Sequence, residues 1–135
     1  MHFFITADSN YETRTGDVID KISGPTRRSF LEKDYGSSVQ GIVIVFMCRD
    51  PKIALKRRIR FSKKDKTLYL DIMMDYQSMV STSNDEARFN LMKEKMFVEL
   101  PTILKKYKFP QFDQERFILD LQKNLLFSVN RGASN

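Results

Sequence analysis

The stretch VQGIVIVFMC, residues 39–48, contains the longest apolar run of the chain and predicts its central element. Successive side chains of a strand point to opposite faces, and here both faces are apolar. One face carries Val39, Gly41, Val43, Val45 and Met47, and the other carries Ile42, Ile44 and Phe46. A strand that is apolar on both faces is typical of the centre of a sheet.

Two alternating segments follow this strand. Residues 53–61 alternate apolar with mainly basic side chains, and residues 67–74 place Leu68 and Leu70 on one face and Tyr69 and Asp71 on the other. The polar residues 62–66 between them predict a turn. The pattern therefore predicts an antiparallel hairpin with one solvated face.

The residues before the central strand predict one further strand and a helical region. Residues 2–6 form a short apolar run, which we interpret as the first strand. Helical spacing follows between residues 17 and 34, but Gly24-Pro25 interrupts it. One kinked helix and two short helices fit this region equally well.

The C-terminal half changes to a helical period. Ser83 and Glu86 have the spacing of a capping box, and apolar residues then recur at helical spacing as far as Tyr107. Pro101 lies within this pattern and predicts a kink or an end. Asp113 is a candidate cap for a last helix, and the tail at about 130–135 is expected to fray.

These elements predict one α+β domain over residues 1–135. The expected order is β-α-β-β-β-α-α, with about four mostly antiparallel strands and the helices packed on one face. A chain of 135 residues is of ordinary size for one domain.

The chemistry of the chain argues against an enzyme. The only histidine is His2 and the only cysteine is Cys48, so neither an internal His-activated nucleophile nor a His/Cys metal site is expected. Asp71 and Asp75 leave acid–base or Mg²⁺ chemistry open, but Asp71 is better interpreted as pairing with Arg58 or its neighbours on the next strand. We expect no catalytic residue, metal or cofactor.

The net charge of +6 is concentrated in one segment. Residues 49–66 hold nine Lys and Arg against two Asp, whereas the rest of the chain holds 14 basic and 15 acidic residues. Lys56, Arg58 and Arg60 share one strand face and predict a docking surface for an acidic protein or a phosphate backbone. The alternative is a solvated strand whose charges prevent aggregation.

Tyrosines and one aspartate complete the predicted surface. Tyr69 and Asp71 lie across from the basic strand, and Tyr69 is the one aromatic there, which weakens RNA binding as an explanation. Tyr35 and Tyr76 each follow an aspartate at an element end. Such tyrosines either pack or cap, or serve as anchors at an interface.

No segment resembles a secretion signal, and no apolar run approaches the roughly 20 residues that span a bilayer. A lone thiol also suits a reducing compartment. A soluble cytoplasmic protein is expected, with no membrane partner.

Four motifs in order give the chain a familiar pattern: Lys33-Asp34-Tyr35-Gly36, Lys56-Arg57-Arg58, Asp75-Tyr76 and residues 115–121, ERFILDL. The sequence resembles a family of small immunity proteins from bacterial polymorphic toxin and contact-dependent growth inhibition systems. The resemblance implies that the protein binds and inactivates the C-terminal domain of a cognate toxin, often a nuclease, by occlusion. The candidate contact residues are Lys56, Arg58, Arg60, Tyr69, Asp71, Tyr35 and Tyr76. The alternative is a small basic nucleic-acid-binding module.

Overall fold

The computed structural model describes residues 1–7, 13–49, 59–107 and 109–127. In these ranges the chain forms four strands and five helices, which confirms the α+β class. In chain order they are β1 (His2–Ala7), α1 (Thr13–Asp20), α2 (Ser23–Phe30), β2 (Gly41–Arg49), β3 (Ile59–Ser62), β4 (Thr67–Asp75), α3 (Tyr76–Ser81), α4 (Asp85–Lys106) and α5 (Gln114–Asn124).

The four strands form one mixed sheet in the order β1-β2-β4-β3. β2 runs parallel to both β1 and β4, and only the β3–β4 pair is antiparallel. The prediction of a mostly antiparallel sheet is therefore wrong. The helical connection between β1 and β2 returns the chain to the end where β1 began, and this makes the two strands parallel.

β4, not β3, is the second neighbour of the central strand. β2 and β4 are both nine residues long and pair along their whole length, whereas β3 has four residues. A short strand is suited to the edge of a sheet. The predicted β3–β4 hairpin is confirmed for residues 59–75, and residues 53–58 lie outside the described residues.

The helices cover one face of the sheet. This face carries the buried side chains Phe3, Ile5, Ile42, Ile44, Phe46, Leu68, Leu70 and Ile72. The ring of Phe3 lies 4.6 Å from that of Phe30 in α2 and 5.9 Å from that of Phe117 in α5. Met92 and Leu100 of α4 belong to the same core, so the helices and the sheet share one hydrophobic layer.

The helix boundaries resolve what the sequence left open. The region between residues 17 and 34 forms two short helices, α1 and α2. α4 is capped by Asn84, one residue later than predicted, and continues through Pro101, where a kink or an end was expected. Burial of Leu100 and Leu104 on either side compensates for the backbone donor that Pro101 lacks.

The remaining helices, α3 and α5, differ in how well the sequence predicted them. α3, directly after β4, was not predicted. α5 begins as predicted, with the Asp113 side chain accepting a hydrogen bond from the Arg116 backbone N–H at 3.2 Å. The predicted frayed tail lies outside the described residues.

Candidate functional site

The sheet face opposite the helices is called the outer face here. One residue of each strand is in register across it, and these four form what we call the outer row: Phe4 of β1, Val43 of β2, Tyr69 of β4 and Arg60 of β3. Phe4, Val43 and Tyr69 alternate with the buried side chains of their strands, and Arg60 lies between the half-buried Ile59 and Phe61. Phe4 is 40% exposed, so the row is accessible at its β1 end.

Arg60, Tyr69 and Asp71 form a cluster at the β3 end of the outer row. The Arg60 guanidinium lies 5.0 Å from the centre of the Tyr69 ring, and its Nη2 is 3.9 Å from Oδ1 of Asp71. The Arg60 side chain is 53% exposed, while Asp71 as a residue is only 6% exposed. The cluster therefore presents a positive guanidinium to solvent and keeps its carboxylate almost covered.

The structure brings together three of the seven predicted contact residues. Arg60, Tyr69 and Asp71 are neighbours on the outer face, as expected for the two strands of a hairpin. Lys56 and Arg58 lie outside the described residues. Tyr76 begins α3, beyond the end of β4, and is 43% exposed.

Tyr35 is placed elsewhere. It is 2% exposed, and its hydroxyl donates a 2.5 Å hydrogen bond to Oδ2 of Asp120 in α5. Its ring packs against Phe117, and the Arg116 guanidinium lies 5.2 Å from the ring centre. Burial, reinforced by the hydrogen bond to Asp120, raises the pKa of Tyr35. Tyr35 therefore packs within the core in this structure, and its role as a toxin contact stays a prediction.

A second cation–aromatic contact lies at the other end of the outer row. The Arg27 guanidinium of α2 is 4.5 Å from the centre of the Phe4 ring. Arg27 is exposed, and no ion pair links it to another residue in the described part of the chain. Sequence reasoning missed this pair; the alternation of residues 2–6 predicts that Phe4 faces away from Phe3, but nothing in the spacing links it to Arg27.

The carboxylates that left enzymatic chemistry open do not form a pair. Asp71 and Asp75 are four residues apart on one strand, which separates them by roughly 13 Å at about 3.3 Å per residue. Asp75 caps α3, where its side chain accepts hydrogen bonds from the Gln77 backbone N–H and the Ser78 hydroxyl. Within residues 1–7, 13–49, 59–107 and 109–127, no three His, Cys, Asp or Glu side chains are grouped as metal ligands would be.

None of the helices described here has the length and apolar content needed to cross a bilayer.

The comparison with protein-family models gives a match. The family model described as Immunity protein 44 matches residues 1–126. Neither the curated proteins nor the solved structures contain a significant match. The family match covers every described strand and helix, from β1 to α5.

Proposed function

This chain belongs to the Immunity protein 44 family, and we propose on that premise that it binds a cognate toxin domain and blocks its active site or substrate path. The family implies toxin neutralisation in general. The finer proposal is that the partner is the C-terminal domain of a polymorphic or contact-dependent toxin, and that this domain is a nuclease. An inhibitor of such a nuclease acts in the cytoplasm, where the nucleic acid of the cell lies.

The observation that carries this proposal is the family match over residues 1–126. The outer face supports it, because tyrosine and arginine are enriched among the residues that dominate binding energy at protein interfaces. Arg60 and Tyr69 are neighbours there, with Asp71 beside them. A half-exposed guanidinium also favours fast, charge-guided association with a partner surface of opposite charge.

We propose that the toxin contacts the outer face around Arg60, Tyr69 and Asp71. Lys56 and Arg58 follow the alternation of Arg60 in the sequence and extend this proposal, and Tyr76 is proposed for the rim because it is 43% exposed. The inhibitor acts by stoichiometric binding rather than by turnover.

Growth rescue tests the proposal. The toxin domain encoded by the gene immediately upstream is expressed from an inducible promoter, with this protein or with an empty vector. Rescue by this protein alone, with a complex recovered from the same cells, supports the proposal. Continued growth arrest in cells that contain the soluble protein contradicts it.

A further inference from the structure

The two ends of the outer row carry the same kind of contact. At the β1 end a guanidinium lies over Phe4, and at the β3 end a guanidinium lies over Tyr69. Val43, which is half-buried, lies between these two rings in the register of the sheet. The row is therefore an apolar strip with one arginine at each end.

Each stacked arginine keeps its hydrogen-bonding edge available. A guanidinium over a ring uses its flat face, and its N–H groups still point outward in a plane that matches a carboxylate. Stacking also restricts the side chain before a partner arrives, which lowers the entropy lost on binding. Arg27 has no ion-pair partner in the described residues, and Arg60 is more than half exposed.

We propose that the outer row recognises an acidic protein surface on the toxin domain, in which two carboxylate groups flank an apolar side chain. This deepens the proposed function and rests on it. The apolar side chain of the partner contacts Phe4 and Val43, and the carboxylates accept hydrogen bonds from Arg27 and Arg60. The rings of Phe4 and Tyr69 lie on strands two apart, so the carboxylates are roughly 10–15 Å apart, given about 4.8 Å between strands.

The same geometry disfavours a nucleic acid as the partner. Single strands bind to a sheet by stacking their bases on exposed aromatic rings. Here a guanidinium already covers one face of the Phe4 ring and one face of the Tyr69 ring.

A pair of matched double variants tests the proposal. Arg27→Gln with Arg60→Gln removes the guanidinium from each end of the row. Arg28→Gln with Arg116→Gln removes the same charge elsewhere: Arg28 is exposed on the same helix as Arg27, and Arg116 stacks on Tyr35. Binding to the purified toxin domain from the upstream gene is measured by calorimetry at 50 and 300 mM NaCl, after thermal melts show that each variant is folded.

The outer-row variant should bind at least about 100-fold more weakly, roughly tenfold for each arginine, with a smaller salt dependence. The control pair should bind within about threefold of the parent protein. Arg27→Lys with Arg60→Lys keeps the charge but loses the planar edge, so it should bind with intermediate affinity; it replaces the glutamine pair if that pair is unfolded.

The outcomes separate this inference from the proposed function. If the parent protein does not bind the toxin domain, the proposed function fails first. If it binds and the outer-row variant binds equally well, or both pairs weaken equally, the assignment of this surface is wrong. Tighter binding of the parent protein to a single-stranded RNA 20-mer than to the toxin domain would also overturn it.

Discussion

The hydrogen bonds of Arg88 allow the most quantitative prediction about the stability of this fold. It is 8% exposed near the start of α4, and its guanidinium donates three hydrogen bonds. Nε bonds the Met79 carbonyl at 3.0 Å, Nη2 bonds the Thr82 carbonyl, and Nη1 bonds Oδ1 of Asp85 at 2.8 Å. One side chain thus satisfies carbonyls of α3 and of the residue that follows it, and fixes both to α4.

The replacement Arg88→Met removes these donors but keeps an unbranched apolar stem. Two carbonyls lose a charged donor, and each costs about 1 kcal/mol when left without one in a buried site. Loss of the contact to Asp85 adds only about 1 kcal/mol, because Asp85 keeps its ion pair with Lys21 at 2.6 Å. The free energy of unfolding should fall by about 3 kcal/mol.

Urea denaturation followed by circular dichroism measures this change. With a slope of about 2 kcal/mol per molar for a domain of this size, the midpoint should fall by about 1.5 M. Arg28→Met is the matched control, since Arg28 is an exposed arginine in a helix, and its effect should stay within about 0.5 kcal/mol. Equal effects of the two replacements would refute the role assigned to Arg88.

Three further predictions concern other contacts of the fold. The hydrogen bond from Lys21 holds the pKa of Asp85 below 3.8. The ionised carboxylate of Asp85 therefore stabilises the fold fully above the unfolded pKa, and this stabilisation is lost as pH falls through the lower folded pKa. The difference in unfolding free energy between the parent protein and Asp85→Asn, from urea titrations, should shrink below about pH 4. Tyr35→Phe should cost about 1–2 kcal/mol in urea denaturation, and ultraviolet titration of the parent protein should contain a tyrosine ionisation at raised pH that the variant lacks. Gly36→Ala should destabilise by at least about 2 kcal/mol in thermal melts, because φ is +117° and an added Cβ would lie 1.5 Å from the Gln111 carbonyl oxygen.

Each of these has a contradicting result. If the difference in unfolding free energy between the parent protein and Asp85→Asn stays constant between pH 6 and pH 3, the ionised carboxylate of Asp85 does not contribute the predicted stabilisation. Normal titration of all five tyrosines in the folded state would contradict the burial of Tyr35. Gly36→Ala should melt well below Gly16→Ala, whose added Cβ meets nothing within 4 Å in α1; equal melting temperatures would exclude the clash.

Local pattern predicted the elements of the fold better than their arrangement. The two-faced apolar run of residues 39–48 correctly indicated the central strand β2, and alternation correctly assigned the faces of β4. The parallel β1–β2 and β2–β4 pairs were not predictable in this way. They join strands separated by long connections, and the alternation of a strand is the same whichever direction its neighbour runs.

The candidate site shows the same limit. Asp34-Tyr35 and Asp75-Tyr76 are the same dipeptide at the ends of elements, yet Tyr35 is buried and Tyr76 is exposed. The difference comes from α5, which supplies the hydroxyl's partner Asp120, 85 positions away in the chain. Arg60 and Tyr69 were predictable as neighbours because a short turn joins their strands.

The central claim is that this chain neutralises a toxin by binding it. Its most direct test is a titration of the purified upstream toxin domain with this protein, with toxin activity on its own substrate measured at each addition. A stoichiometric inhibitor predicts a linear loss of activity that reaches zero at one equivalent, with a 1:1 complex by light scattering. Full toxin activity at several equivalents, with no complex, would contradict the claim.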